Sequence, residues 1–238
     1  MTAAPLPRLV AHCRELGVGN AALLAINRLL RRLHPHLGVA RYYLMAQPVV
    51  DRPWLPRRGH GLEIRILRPG DPALATLPRP APRLERQPRG EAVCFGAFRP
   101  GAAQPLGHLW LLPGRHREEE HRCLLRAPPS PRCILDVDVY VAPEARGGFV
   151  FAHLWDTANA WLREHGVQWT LSRISAFNPG SLRAHQRLGA RRVGSLFFVQ
   201  AGTLEILLTG RRPFVAISRS RSKAPEITIH PPRHRCSV

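Results

Sequence analysis

Between residues 133 and 174 the chain has little conformational freedom. Cys133–Val141 (CILDVDVYV) alternates aspartate and tyrosine against aliphatic residues over a length that a strand explains better than a helix. Pro143 ends that strand. Phe149–Gly166 then places Phe151, Leu154, Trp155, Ala158, Trp161 and Leu162 at helical spacing, with Gly166 as the stop. Trp169–Ile174 is a second strand. A helix between two strands supplies the crossover that parallel pairing needs, so the two strands are predicted to lie side by side and parallel.

Around this unit the pattern is antiparallel. Leu62–Leu67 alternates as a strand, Pro72–Arg89 holds too much proline for a long helix and is expected to be a broken helix with loop, and Ala92–Phe98 with Leu106–Leu112 form a hairpin about Pro100–Gly101. Asn178 and Pro179 cap and open a short helix that Gly189 terminates. Val193–Gln200, Leu204–Leu208 and Phe214–Ser218 are the last strands. The order specifies a mixed α/β protein of the α+β type rather than a doubly wound sheet. Residues 5–33 are predicted to form two short helices, the second capped by Asn20, and Arg41–Val50 a β-rich stretch. The expected divisions are residues 1–60 as a helical appendage and connector, 61–218 as the main domain, and 219–238 as a disordered basic tail, dispensable for folding.

Charge limits the partners. The formal net charge is +19, yet Lys223 is the only lysine, and the arginines are scattered along the chain. That imbalance fits coding bias in a GC-rich genome better than a nucleic-acid groove, so nucleic acid is not an expected partner; a polyanionic small molecule or an acidic carrier protein is served equally well. The 5 cysteines lie far apart without a CxxC pair, which argues against disulfides and against a zinc site. No apolar run is long enough for a transmembrane helix and no signal-peptide pattern opens the chain, so a soluble, cytoplasmic protein is expected, with a basic N-terminal helix able to touch an anionic membrane surface.

The chemistry concentrates in two stretches. VAPEARGG at Val141–Gly148 joins strand to helix, and a glycine turn feeding a helix N-terminus presents unpaired N–H groups and a positive dipole end to an anion. About thirty residues on, NPGSLRAHQRLGA carries Asn178, Ser181, His185, Leu188 and Gly189. Strand, V-x-P-x-x-R-G turn, helix, strand, then N-x-x-S-x-x-x-H-x-x-L-G resembles the paired cofactor motifs of the GNAT superfamily of N-acyltransferases. The resemblance is sharp over residues 133–200 and rests on strand order alone from 62 onward.

The resemblance implies a mostly antiparallel sheet whose central parallel pair splays around a cofactor cleft, with acetyl-CoA or another acyl-CoA as donor, a small-molecule amine as acceptor and no metal. It implies that Val139, Tyr140 and Val141 pair with the pantetheine arm, and that Arg146, Gly147, Gly148, Phe149, Val150 and Phe151 form the pyrophosphate loop and first helical turn. Asn178 would reach the coenzyme, Ser181 would support that helix end, and His185 would stand near the departing thiolate. One departure stands out: the family pattern R-G-x-G-[IV]-[GA] calls for small residues where this chain has Phe149 and Phe151. A phenyl ring there widens the loop, turns away from it or lines an acyl channel.

Amine attack also needs a proton acceptor and a donor to the leaving sulfur. Asp138 and Asp136 alternate on what is expected to be one strand face, where a carboxylate can take the amine proton or simply be a polar outer face. His185 is the candidate acid, against a plain surface histidine. Glu118–Glu120 is expected to be a solvated charge run. Two alternatives to the acyl-CoA enzyme stay open: a non-catalytic GNAT-like binding module, and an N-acyl synthase fed by an acidic acyl carrier protein.

Overall fold

The structure, a computed structural model, describes residues 13–55, 61–77, 92–130 and 132–232. In chain order the elements are α1 (Val18–Leu33), β1 (Leu37–Pro48), β2 (Glu63–Leu67), β3 (Val93–Phe98), β4 (Gly107–Leu112), β5 (Arg115–Arg117), β6 (Leu124–Arg126), β7 (Cys133–Val141), α2 (Val150–Glu164), β8 (Trp169–Ser175), α3 (Pro179–Arg187), β9 (Arg191–Ala201), β10 (Leu204–Thr209), β11 (Val215–Ser218) and β12 (Glu226–Thr228). This is a mixed α/β protein, mostly antiparallel, as expected. It divides into two compact units: residues 47–116 with 127–172, and residues 1–46 with 117–126 and 173–238.

The first unit holds the sheet β8–β7–β4–β3–β2, with β8 contributing its first four residues. β2, β3, β4 and β7 pair antiparallel in sequence. β7 and β8 run parallel from Cys133↔Trp169 to Asp136↔Ser172, the arrangement the crossover helix predicts. β3 and β4 are buried almost throughout, because helix α2 covers one face and the Pro72–Thr76 3-10 turn packs toward the other. Phe95 on β3 meets Trp161 on α2 edge-to-face at 6.1 Å, a geometry that favours aromatic pairs beyond the area they bury. On the opposite side Ala73 and Leu77 join Leu67, Cys94, Phe98 and Trp110 in one apolar cluster. Gly107 sets how closely β4 approaches β7, since a Cβ there would stand 2.6 Å from the Tyr140 carbonyl oxygen. The broken helix expected at Pro72–Arg89 is the Pro72–Thr76 turn; residues 78–89 lie outside the described residues.

In the second unit β1, β9, β10 and β11 form an antiparallel sheet, and β12 pairs parallel with β6. Three expectations are corrected here. Leu37–Pro48 is not connector but a 12-residue strand in register with β9 from Leu37↔Ala201 to Ala46↔Arg191, so the division at residue 60 cuts a sheet. Residues 219–232 are not disordered: β12 carries Ile227, and Ile229 donates its N–H to Arg126, with both isoleucines buried. Apolar side chains too few for a periodic signal are enough to dock a short strand. The α1 N-cap is Gly17, not Asn20, whose side-chain amide donates instead to the Leu16 carbonyl and to the Tyr43 hydroxyl. The expected helix at residues 5–12 and the chain end at 233–238 lie outside the described residues.

Candidate active site

β7 changes character at its middle. Cys133–Asp136 is buried, and Val137–Val141 is half-exposed. Pairing with β8 ends at Asp136, and at the same point the register with β4 slips: Trp110 opposes Asp138 while the next β4 residue, Leu111, opposes Asp136. Val137 is therefore the extra residue of a β-bulge, which bends the strand and increases its twist.

The bulge overturns the expectation that both aspartates share a face. Residues directly opposite one another share a sheet face, and neighbours along a strand point to opposite faces. Asp138 thus goes with Trp110, on the side of the 3-10 turn, and Asp136 goes with Leu111, on the side of α2. Asp136 is buried, and that burial, with the nearby Asp138 charge as the smaller cause, pushes its carboxyl up to about 8. Asp138 remains partly exposed and accepts a hydrogen bond at 3.0 Å from Nε2 of His108, a fully buried histidine on β4. The His108 ring stacks on Tyr140 at 5.6 Å between centroids. Sequence reasoning missed His108; the signal was a lone histidine inside the apolar GHLWLL run, two positions from the residue that opposes Asp138.

The turn after β7 is built by its backbone. Ala142–Ala145 forms a 3-10 turn, and Gly147 adopts φ 78°, the left-handed region in which a Cβ is strained. Arg146 folds back so that its Nε donates to the Val141 carbonyl at 3.1 Å. Phe149 is the N-cap of α2 at φ −92°, and it gives no side-chain cap. A negative φ is open to any residue, so the backbone at 149 does not require the glycine of the family pattern. The Phe149 ring is half-exposed, Phe151 leans on Trp155 at 6.4 Å, and Val150 is buried. The first turn of α2 therefore receives no cap from the side chain of its own N-cap residue.

Asp138, Val139, Tyr140, Val141 and Arg146–Phe151 all belong to the first unit; Asn178, Ser181 and His185 belong to the second. Asn178 is the N-cap of α3, its Oδ1 accepting from the Ser181 N–H at 3.1 Å, so its carbonyl oxygen is already engaged. His185 is buried, and burial lowers its pKa to about 4. It is neutral at pH 7, which rules out a resting imidazolium acid, and it is no surface histidine either.

The acidic run is solvated only in part: Glu119 and Glu120 are exposed, as expected, but Glu118 is not. Glu118 is buried and meets Nη2 of Arg173 on β8 at 2.6 Å, Glu120 accepts from the same nitrogen at 3.2 Å and from the Tyr42 hydroxyl at 2.8 Å, and the Arg173 guanidinium lies 3.9 Å above the Tyr42 ring. Next to it His121 Nδ1 lies 2.9 Å from Glu205 and its ring stacks on Phe198. Glu118 and Glu120 thus share the one Arg173 guanidinium, so these two carboxylates do not form a free acidic lure for a cationic acceptor. Among the described residues no group of three or more His, Cys, Asp or Glu is placed to hold a metal ion, and no helix is long and apolar enough to cross a membrane.

No family model matches this chain, and no curated protein does. Solved structures do. A tandem GNAT protein from the clavulanic acid biosynthesis pathway matches at 16% identity and TM-score 0.48, over 68% of this chain and 53% of its own length. This chain thus spans about half of that protein. A GNAT-family acetyltransferase from Novosphingobium aromaticivorans matches at 15% identity and TM-score 0.43, over 68% and 63%. An aminoglycoside N-acetyltransferase in complex with coenzyme A matches at 21% identity and TM-score 0.37, over 57% and 91%. This chain is thus similar to solved GNAT acetyltransferases at low identity.

Proposed function

We propose that this chain transfers an acyl group from an acyl-coenzyme A, acetyl-CoA in the simplest case, to the primary amine of a small molecule. The observation that carries the reading is the coincidence at Val137: one bulge ends the pairing with β8, turns β7 from buried to half-exposed, and leaves Val139–Val141 leading straight into a glycine turn and a helix N-terminus that its own N-cap side chain does not cap. Extended main chain suits the amide groups of a pantetheine arm, and the α2 N-terminus with Arg146 suits a pyrophosphate.

In this reading Asp138, partly exposed at the half-open end of β7, accepts the proton of the attacking amine. The nitrogen bonds to the thioester carbon, the carbon–sulfur bond breaks, and coenzyme A leaves as its thiolate. A main-chain N–H of β7 facing the thioester oxygen stabilises the charge that develops there. Asp136 is given no role, because it is buried on the α2 side rather than in the half-exposed stretch. His185, buried and with its pKa lowered to about 4, is given none either, and Asn178 and Ser181 remain candidates on the family resemblance alone.

Two measurements test the proposal. Coenzyme A at a hundredfold its dissociation constant should raise the unfolding free energy by about 2.7 kcal/mol. Acetyl-CoA should release thiol in the presence of an amine panel, and Asp138→Asn should lower that rate by about 100-fold without weakening coenzyme binding. Absence of any coenzyme binding would favour the binding-module reading. Thiol release from an acyl carrier protein but not from coenzyme A would favour the synthase reading.

A further inference from the structure

His108 lies outside both motif stretches. It is fully buried in β4, between Gly96 of β3 and Tyr140 of β7, which occupy the same rung of the sheet. Gly96 opposite it carries no side chain, and the Phe98 ring and Leu67 crowd the place a Cβ would take. Tyr140 stacks on the other side with an interplanar angle of 16°. The ring is thus buried and stacked face to face on Tyr140, with Nε2 3.0 Å from Asp138 Oδ2. Its second nitrogen, Nδ1, is buried and has no hydrogen-bond partner among the described residues.

That asymmetry selects a tautomer. A proton on Nδ1 would be a buried donor with nothing to accept it, whereas a bare lone pair there costs less, and a doubly protonated ring would add a buried charge. The favourable form is neutral, with its proton on Nε2 and donated to Asp138.

We propose that His108 is a positioning residue for Asp138: its Nε2–H holds Oδ2 and so fixes the orientation of the carboxylate toward the amine, and it neither carries nor relays the proton. The proposal rests on Asp138 being the base of an acyl transfer. His108 cannot relay a proton, because its only basic nitrogen is enclosed and unpartnered. Among the described residues, titratable groups near Asp138 include His108 on β4, Tyr140 and Asp136 on β7, and Cys94 on β3, with the Asp71–Arg65 pair beyond Cys94. Among these His108 is the donor that the geometry aims at the carboxylate.

The test combines a spectrum with kinetics on the full chain. In ¹⁵N NMR of ring-labelled protein, Nδ1 of His108 should show the shift of an unprotonated nitrogen and Nε2 that of a protonated one, and Asp138→Asn should mix the two forms. In the acyl-transfer assay, His108→Leu should lower kcat by about 100-fold with KM for the donor within about twofold. His108→Gln keeps an N–H donor at similar reach and should recover most of the loss. Circular dichroism melts confirm that each variant is folded, and the spectrum of the wild type needs no variant at all. A proton found on Nδ1, or wild-type kcat in His108→Leu, would overturn the proposal. If the wild type transfers no acyl group, the acyl-transfer reading fails by itself, while the spectrum still decides whether His108 donates to Asp138.

Discussion

Asp136 and Asp138 are one residue apart and have opposite fates. Asp136, folded against the α2 side, has its carboxyl raised from 3.8 to about 8, chiefly by burial. The folded state therefore binds a proton that the unfolded state releases above about pH 4, and stability falls as pH rises from there to about 8 before levelling off. Asp136→Asn removes this slope. Urea midpoints at pH 4.5 and 7.5 should show the wild type losing roughly 1 to 3 kcal/mol more than the variant between those values. Arg173 shows the converse case, a charge that its partners justify. Arg173→Met leaves Glu118 buried without its countercharge and should cost roughly 3 to 5 kcal/mol in chemical denaturation, most of it recovered in the double variant with Glu118→Gln. Neither residue announced itself in the sequence, because an aspartate in an alternating strand and a glutamate in an acidic run both look solvent-facing until the partner strand is known.

Elements were more legible than residues. The strand at 133–141, the helix starting near 150, the hairpin at 92–112 and the Asn178 cap all stand where periodicity and capping chemistry put them. These signals are local: apolar spacing, a proline at N1, a glycine stop. The cap has a measurable weight, and Asn178→Ala should lower stability by roughly 1 kcal/mol, with Asn178→Asp retaining it. The turn before α2 has a different requirement. Gly147→Ala forces a Cβ into the left-handed region and should cost roughly 1 to 2 kcal/mol, read from the same melts. Phe149→Gly, by contrast, relieves no backbone strain, since φ there is already negative. What periodicity could not show was the bulge at Val137. A bulge is a mismatch between two strands, and a single strand's text carries no record of its partner's register.

At the scale of the whole chain, the C-terminal segment gives the sharpest test. Deletion after Ser218 removes β12 and the buried Ile227 and Ile229, and should lower Tm by roughly 10 °C, where a loose tail would leave it unchanged. Sequence alone determined the main strands and helices, the parallel β7–β8 pair and the Asn178 cap, because these follow from hydrophobic period, chain direction and backbone chemistry within a few residues. Only the tertiary structure decided that β1 belongs to a sheet, that the tail is docked, that Asp136 is buried while Asp138 is held by His108, and that Glu118 is matched by Arg173. Each of these depends on which distant segment lies opposite, through burial, register or countercharge, and such pairings are set by packing between segments as far apart as Leu37 and Ala201 rather than by any local pattern.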